Sequence, residues 1–149
     1  MANNSVSLHR IVKASPEKVY RAFTDATAMA SWIPPYGFLC VVHNMEVKQG
    51  GKYRMSFINF STGNAHSFGG SYLDLKPNEY IKYTDTFEDP NLPGEMITTV
   101  WFKKVIGGTD LKILQEGIPS AIPVEMCYLG WQESLEKLQK LVEPEIPDA

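Results

Sequence analysis

The chain lacks the features that mark several large functional classes. Clustered Lys and Arg are missing and the net charge is −3, so the phosphate neutralisation on which nucleic-acid binding depends has no source. No apolar run approaches the length of a bilayer span and no charged-then-apolar leader opens the sequence, so neither membrane insertion nor secretion is expected and a cytoplasmic location is. The two cysteines, Cys40 and Cys127, lack a C-x-x-C partner. The three histidines, His9, His43 and His66, match no metal-ligand spacing, so no metal and no cofactor are expected. Glycine pairs occur, but none opens a helix in a G-x-G-x-x-G arrangement that would cradle a phosphate. Ser15-Pro16-Glu17-Lys18 spells the S-x-x-K letters of a serine acylase, yet helix capping explains it and no companion motif accompanies it.

What is present is ordinary globular material. A length of 149 residues with 44% hydrophobic and 21% charged content predicts one domain, over residues 1–143, with a core large enough to need no disulfide. The tail "EPEIPDA", residues 143–149, changes composition, and 144–149 are expected to be loosely held.

Alternation predicts a strand over Ser5–Ala14, with Val6, Leu8, Arg10 and Val12 on one face. Ser15 then caps a helix that Pro16 can begin, since the missing N–H of proline has no intrahelical partner there. Val19, Tyr20, Ala22, Phe23 and Ala26 follow at helical spacing, and Thr24 or Asp25 can cap a second short helix. That helix should stop near Trp32, because Pro34 disfavours helical geometry at Ile33.

Strands are predicted over Phe38–Lys48, Lys52–Phe60, Phe68–Leu75, Tyr80–Phe87, Met96–Val105 and Thr109–Gln115, separated by Gly-, Pro- and Asn-rich turns. Such a meander needs a cover, and the C-terminal segment supplies one. Tyr128, Trp131, Leu135, Leu138 and Val142 recur at steps of three and four, with Glu133, Glu136, Lys137 and Lys140 opposite them in favourable i,i+4 order. Gly130 interrupts that helix, either to let it approach the sheet or to bend it.

The order of elements, together with "SPEKVYRAFTD", "WIPP", "MEVKQGGKYRMSF", "FGGSYLDLKPNEYIKYT", "GGTDLKILQEG" and "GWQESLEKL", resembles the START-like (SRPBCC) superfamily. Within it, the chain is similar to the homologues of the activator of the heat-shock chaperone ATPase. The resemblance implies an α+β helix-grip fold. A curved antiparallel sheet of about seven strands would hold the long C-terminal helix, with two short helices after the first strand and a cavity between sheet and helix. It also places Trp32-Ile33-Pro34-Pro35 beside the cavity mouth.

The implied function is binding of a small apolar molecule. Tyr53, Met55 and Phe57 alternate along one strand, and Tyr83, Val100, Phe102, Ile113, Leu135 and Leu138 are placed to meet them from neighbouring elements. As a bare pattern these residues are core; given the fold, Trp32, Tyr53, Met55, Phe57, Tyr83, Phe102 and Leu135 become candidate ligand contacts.

Two polar residues complete the candidate set. Asp85 stands where the family commonly has an aromatic residue, and Gln115 where it commonly has histidine. By alternation Asp85 shares a face with Ile81, Tyr83 and Phe87, and Gln115 with Leu111 and Ile113. A buried carboxyl must be paired, protonated or near solvent. The pair either orients a ligand or forms a satisfied structural contact. Superfamily cyclases and hydratases suggest an alternative in which Asp85 acts with Tyr83 or Tyr72 in acid–base catalysis, but no nucleophile-base-orienter set is readable and no catalytic residue is assigned. Chaperone partnership is implied by the family alone and is not favoured, because the second domain of that activator would not fit in this length.

Overall fold

The structure is a computed structural model and describes residues 4–148. Its elements follow in the order β1 (Val6–Val12), α1 (Pro16–Thr24), α2 (Ala26–Trp32), β2 (Phe38–Met45), β3 (Lys52–Asn59), β4 (Ala65–Lys76), β5 (Tyr80–Phe87), β6 (Met96–Val105), β7 (Gly108–Glu116) and α3 (Val124–Val142). All seven strands join one antiparallel sheet in the order β1-β7-β6-β5-β4-β3-β2. Strands β2 to β7 form a meander and β1 adds to its far side, so α1 and α2 carry the chain from one sheet edge to the other. This is the α+β helix-grip architecture expected from the sequence.

The two short helices form for local reasons. The Ser15 side chain accepts the Lys18 N–H at 3.3 Å, and Pro16 occupies the first turn. Asp25 is the C-cap of α1 and the N-cap of α2 at once, its carboxylate accepting the Ala28 N–H at 3.0 Å. One residue with extended backbone angles thus breaks what would otherwise be a single helix.

Ile33 departs from the expectation set by Pro34. Its φ of −68° and ψ of −34° are helical, and its N–H still bonds the Met29 carbonyl. The disfavoured pre-proline conformation is held from outside, because the Ser134 hydroxyl of α3 donates to the Ile33 carbonyl at 2.6 Å. The Lys137 ammonium donates to the Pro34 carbonyl at 2.9 Å, and Glu133 accepts the Tyr36 N–H at 3.1 Å. These contacts occupy Glu133 and Lys137, and Glu136 accepts the Tyr36 hydroxyl, so neither i,i+4 ion pair expected along α3 closes; α3 spends those side chains on the Ile33–Tyr36 turn.

The inward face of α3 is Trp131, Ser134, Leu135, Leu138 and Val142. Tyr128, expected on that face, is 43% exposed; in the first turns of α3 it is Cys127 that turns inward, its thiol donating to Gln115 of β7. Beneath the other half of α3, Arg10 of β1 donates to Gln139 at 2.7 Å and also bonds Gln132, which explains an arginine on an otherwise apolar strand face. At the end of α3, Glu143 accepts the Lys13 N–H at 3.0 Å, and Lys18 donates to the Pro144 carbonyl at 3.1 Å. No helix among the described residues is long and apolar enough to cross a membrane.

Candidate functional site: a hollow between sheet and helix

The backbone of α3 comes within 8 Å of β1, α1 and α2 and of no other described element. Over β3, β4 and β5 only side chains span the gap, and they do not fill it. A hollow of about 420 Å³ remains. Its walls are Tyr53, Met55 and Phe57 of β3, Phe68 and Tyr72 of β4, Ile81, Tyr83, Asp85 and Phe87 of β5, Met96 of β6 and Gln115 of β7. Ile33 and Pro35 of the turn after α2, with Cys127, Gly130, Trp131 and Ser134 of α3, close it from the other side.

Six of the nine residues nominated from the sequence therefore border the hollow: Tyr53, Met55, Phe57, Tyr83, Asp85 and Gln115. Trp32, Phe102 and Leu135 do not. Trp32 is wholly buried, donates its indole N–H to the Ala22 carbonyl at 2.8 Å and meets Phe23 edge-on at 4.7 Å. Phe102 lies under α1, edge-on to Tyr20 at 5.4 Å and to Phe23 at 5.3 Å. Leu135 sits on the packed side of α3. Each has the apolar character of a wall residue, and each is taken up by packing between elements far apart in the chain, which a period-two or period-three-and-a-half pattern does not encode.

Gly130 does not serve a close approach of α3 to the sheet. A Cβ built there would meet nothing within 4 Å, and α3 runs through it as one helix. The missing side chain enlarges the hollow. Gly70 on β4 has the opposite surroundings: its Cβ would fall 2.0 Å from the Thr84 carbonyl, so only glycine lets β4 approach β5 at this point. The direct ladder between these strands runs Phe68↔Phe87, Gly69↔Thr86 and then Tyr72↔Tyr83. In the gap Ser71 donates its N–H to the Thr84 side chain at 2.9 Å. Thr84 and Asp85, adjacent in sequence, are both buried there.

Gln115 is structurally engaged. Its amide nitrogen donates to Thr98 at 3.2 Å, and its amide oxygen accepts the Trp131 indole N–H at 3.1 Å and the Cys127 thiol at 3.0 Å. It ties α3 to β6 and β7. No hydrogen bond joins it to Asp85, so the two do not form the satisfied pair that the sequence allowed.

Asp85 is 9% exposed, and its Oδ1 is buried with no hydrogen-bond partner. Burial raises its pKa to about 7, with the Tyr53 hydroxyl and the Thr86 N–H pulling it partway back. The Tyr53 hydroxyl donates to the Thr84 carbonyl at 2.9 Å beside it. Tyr53, Tyr72 and Tyr83 cluster with ring centroids 5.7 to 6.3 Å apart. Burial first, and the Asp85 charge next, push Tyr53 and Tyr83 far above the ordinary phenol range; burial does the same to Tyr72. Cys127 is pushed up to about 11 by the same two causes. All four stay protonated near neutrality, leaving Asp85 as the one group of the wall poised to change charge there.

The sequence profile of the family described as "Activator of Hsp90 ATPase homolog 1-like protein" matches residues 13–143. The chain belongs to that family. A solved protein from Chromobacterium violaceum is 54% identical over 95% of this chain and 99% of its own, with a TM-score of 0.94. An AHSA1-like protein from Aeromonas hydrophila is 16% identical over 93% and 92%, with a TM-score of 0.76. A Rhodobacter sphaeroides protein is 19% identical over 92% and 90%, with a TM-score of 0.82. The last two share the fold. No curated protein matches the chain in sequence.

Proposed function

We propose that the protein binds a small, mostly apolar molecule in the hollow between sheet and α3. The observation that carries this reading is a 420 Å³ hollow walled by apolar and aromatic side chains and bordered by a single carboxyl, that of Asp85, one of whose oxygens is buried without a partner. Ligand sites typically combine a volume of about 300–1,000 Å³ with few polar groups that fix orientation. An unmade hydrogen bond at a buried acceptor costs about 1–3 kcal/mol, and a ligand donor can recover it. The wild-type protein should bind an uncharged fluorescent naphthalene probe such as N-phenyl-1-naphthylamine saturably at one site. Gly130→Leu places a side chain in open space and should abolish that binding while circular dichroism shows the fold intact. Saturable binding that survives in Gly130→Leu removes the hollow from consideration.

A second reading takes support from the near-neutral pKa of Asp85, which suits proton transfer at cellular pH. In that reading Asp85, beside Tyr83 or Tyr72, exchanges a proton with the bound molecule. A molecule retained through purification and identified by native mass spectrometry would then gain deuterium in heavy water with wild type and not with Asp85→Asn. Equal incorporation by both would leave binding alone. Stimulation of a chaperone ATPase is not the favoured reading.

A further inference from the structure

We propose that the ligand of the hollow is a small apolar molecule carrying a protonated amine, held by Asp85 among aromatic rings. This rests on the hollow being the binding site. Three observations point to the charge. None of the residues lining the hollow is Lys, Arg or His, so an anionic head would face the Asp85 carboxyl without a counter-charge. The Gln115 amide is committed to Thr98, Cys127 and Trp131, so Asp85 is left as the acidic group of the wall that a ligand donor can meet. Finally, Tyr53, Phe57, Phe68, Tyr83 and Phe87 line the same wall, and an ammonium within about 6 Å of such ring faces is attracted by their quadrupoles.

The groups that bear on Asp85 are Tyr53 from β3, Tyr83 and the Thr86 N–H from β5, and Cys127 from α3. None of them is a cation. An ammonium entering the hollow completes the carboxylate: Asp85 gives its proton to solvent, and an N–H of the ligand replaces it at the carboxyl. With the pKa raised to about 7, part of the sites carry that proton near neutrality, so amine binding releases protons there. Affinity should rise between pH 6 and 8, where the amine itself stays charged.

The test is titration calorimetry with phenylbutylamine, phenylbutanol and phenylbutyrate, which share an apolar body and differ in the head. Wild type should bind the amine about tenfold or more tighter than the alcohol, bind the carboxylate most weakly, and show the proton release through the buffer dependence of the enthalpy. Asp85→Asn should erase the preference for the amine and leave the alcohol within about twofold. Alcohol and amine bound equally by wild type, or a preference unchanged in Asp85→Asn, overturns the proposal. Loss of all three with the naphthalene probe still bound also overturns it and spares the hollow as a site. Loss of the naphthalene probe as well overturns both.

Discussion

The two halves of the space under α3 are built from the same kinds of residue and end differently. On the side of β1, β6 and β7, Val12, Val19, Trp32, Val100, Leu111, Leu135 and Leu138 are almost fully buried and interlock with α1. On the side of β3, β4 and β5, Tyr53, Met55, Phe68 and Tyr72 are nearly as inaccessible, yet they surround empty volume. The difference lies in what faces them. The packed side receives Leu135, Leu138 and Val142 from α3, whereas the open side receives Gly130, Cys127 and the indole of Trp131, which is held back by its bond to Gln115. Burial from solvent and close packing are separate properties, and only the second removes room for a ligand.

Truncation should separate the halves most sharply. Leu138→Ala creates a new cavity in packed surroundings and should lower stability by about 2–5 kcal/mol, whereas Met55→Ala enlarges an existing hollow and should cost clearly less. Urea unfolding of both variants measures this, and equal losses would erase the distinction. Gln115→Leu comes next. It strips the acceptor from Trp131 and Cys127 and should cost about 1–3 kcal/mol, with a shift in tryptophan emission as the indole loses its partner.

The pH dependence of stability sharpens the comparison, because it belongs to the open half. Asp85 has a folded pKa raised to about 7 from its ordinary value of 3.8, so between these values the folded chain holds a proton that the unfolded chain has lost. Stability therefore falls as pH rises through this window, and the penalty is complete above it. Asp85→Asn should melt above wild type at pH 8 and lose that advantage as pH approaches the unfolded value. A melting temperature that tracks wild type at every pH would place Asp85 in contact with water. The smallest expected effect is at Gly130. With space around the added methyl, Gly130→Ala should stabilise α3 by up to about 1 kcal/mol, while the same change in a packed helix position would be costly. Thermal melts of the variant show the sign.

Much of the framework was readable residue by residue. Ser15 with Pro16, and Asp25 between two helical runs, announce α1 and α2 through local hydrogen bonds. Tyr80–Phe87 and Met96–Val105 announce β5 and β6 through alternation bounded by turns. Asp85 stood out for a chemical reason, a carboxyl placed by alternation among Ile81, Tyr83 and Phe87, and the structure buries it there. Cys127 and Phe68 carried no comparable signal, since a thiol or a phenyl ring in a periodic pattern reads as packing wherever it falls.

What the linear order determined by itself were the features that depend on neighbours a few residues away: caps, turns, strand periodicity and the apolar face of α3 from Trp131 to Val142. Tertiary structure alone decided which apolar residues pack and which enclose space. It sent Trp32, Phe102 and Leu135 into the core, held Ile33 helical before a proline through the Ser134 hydroxyl, and left the Gly130 face open. It also gave Gln115 three partners and Asp85 Oδ1 none. The physical reason is that alternation specifies a direction from the backbone, while filling depends on sheet curvature and on the distance to α3, both set by contacts between residues far apart along the chain.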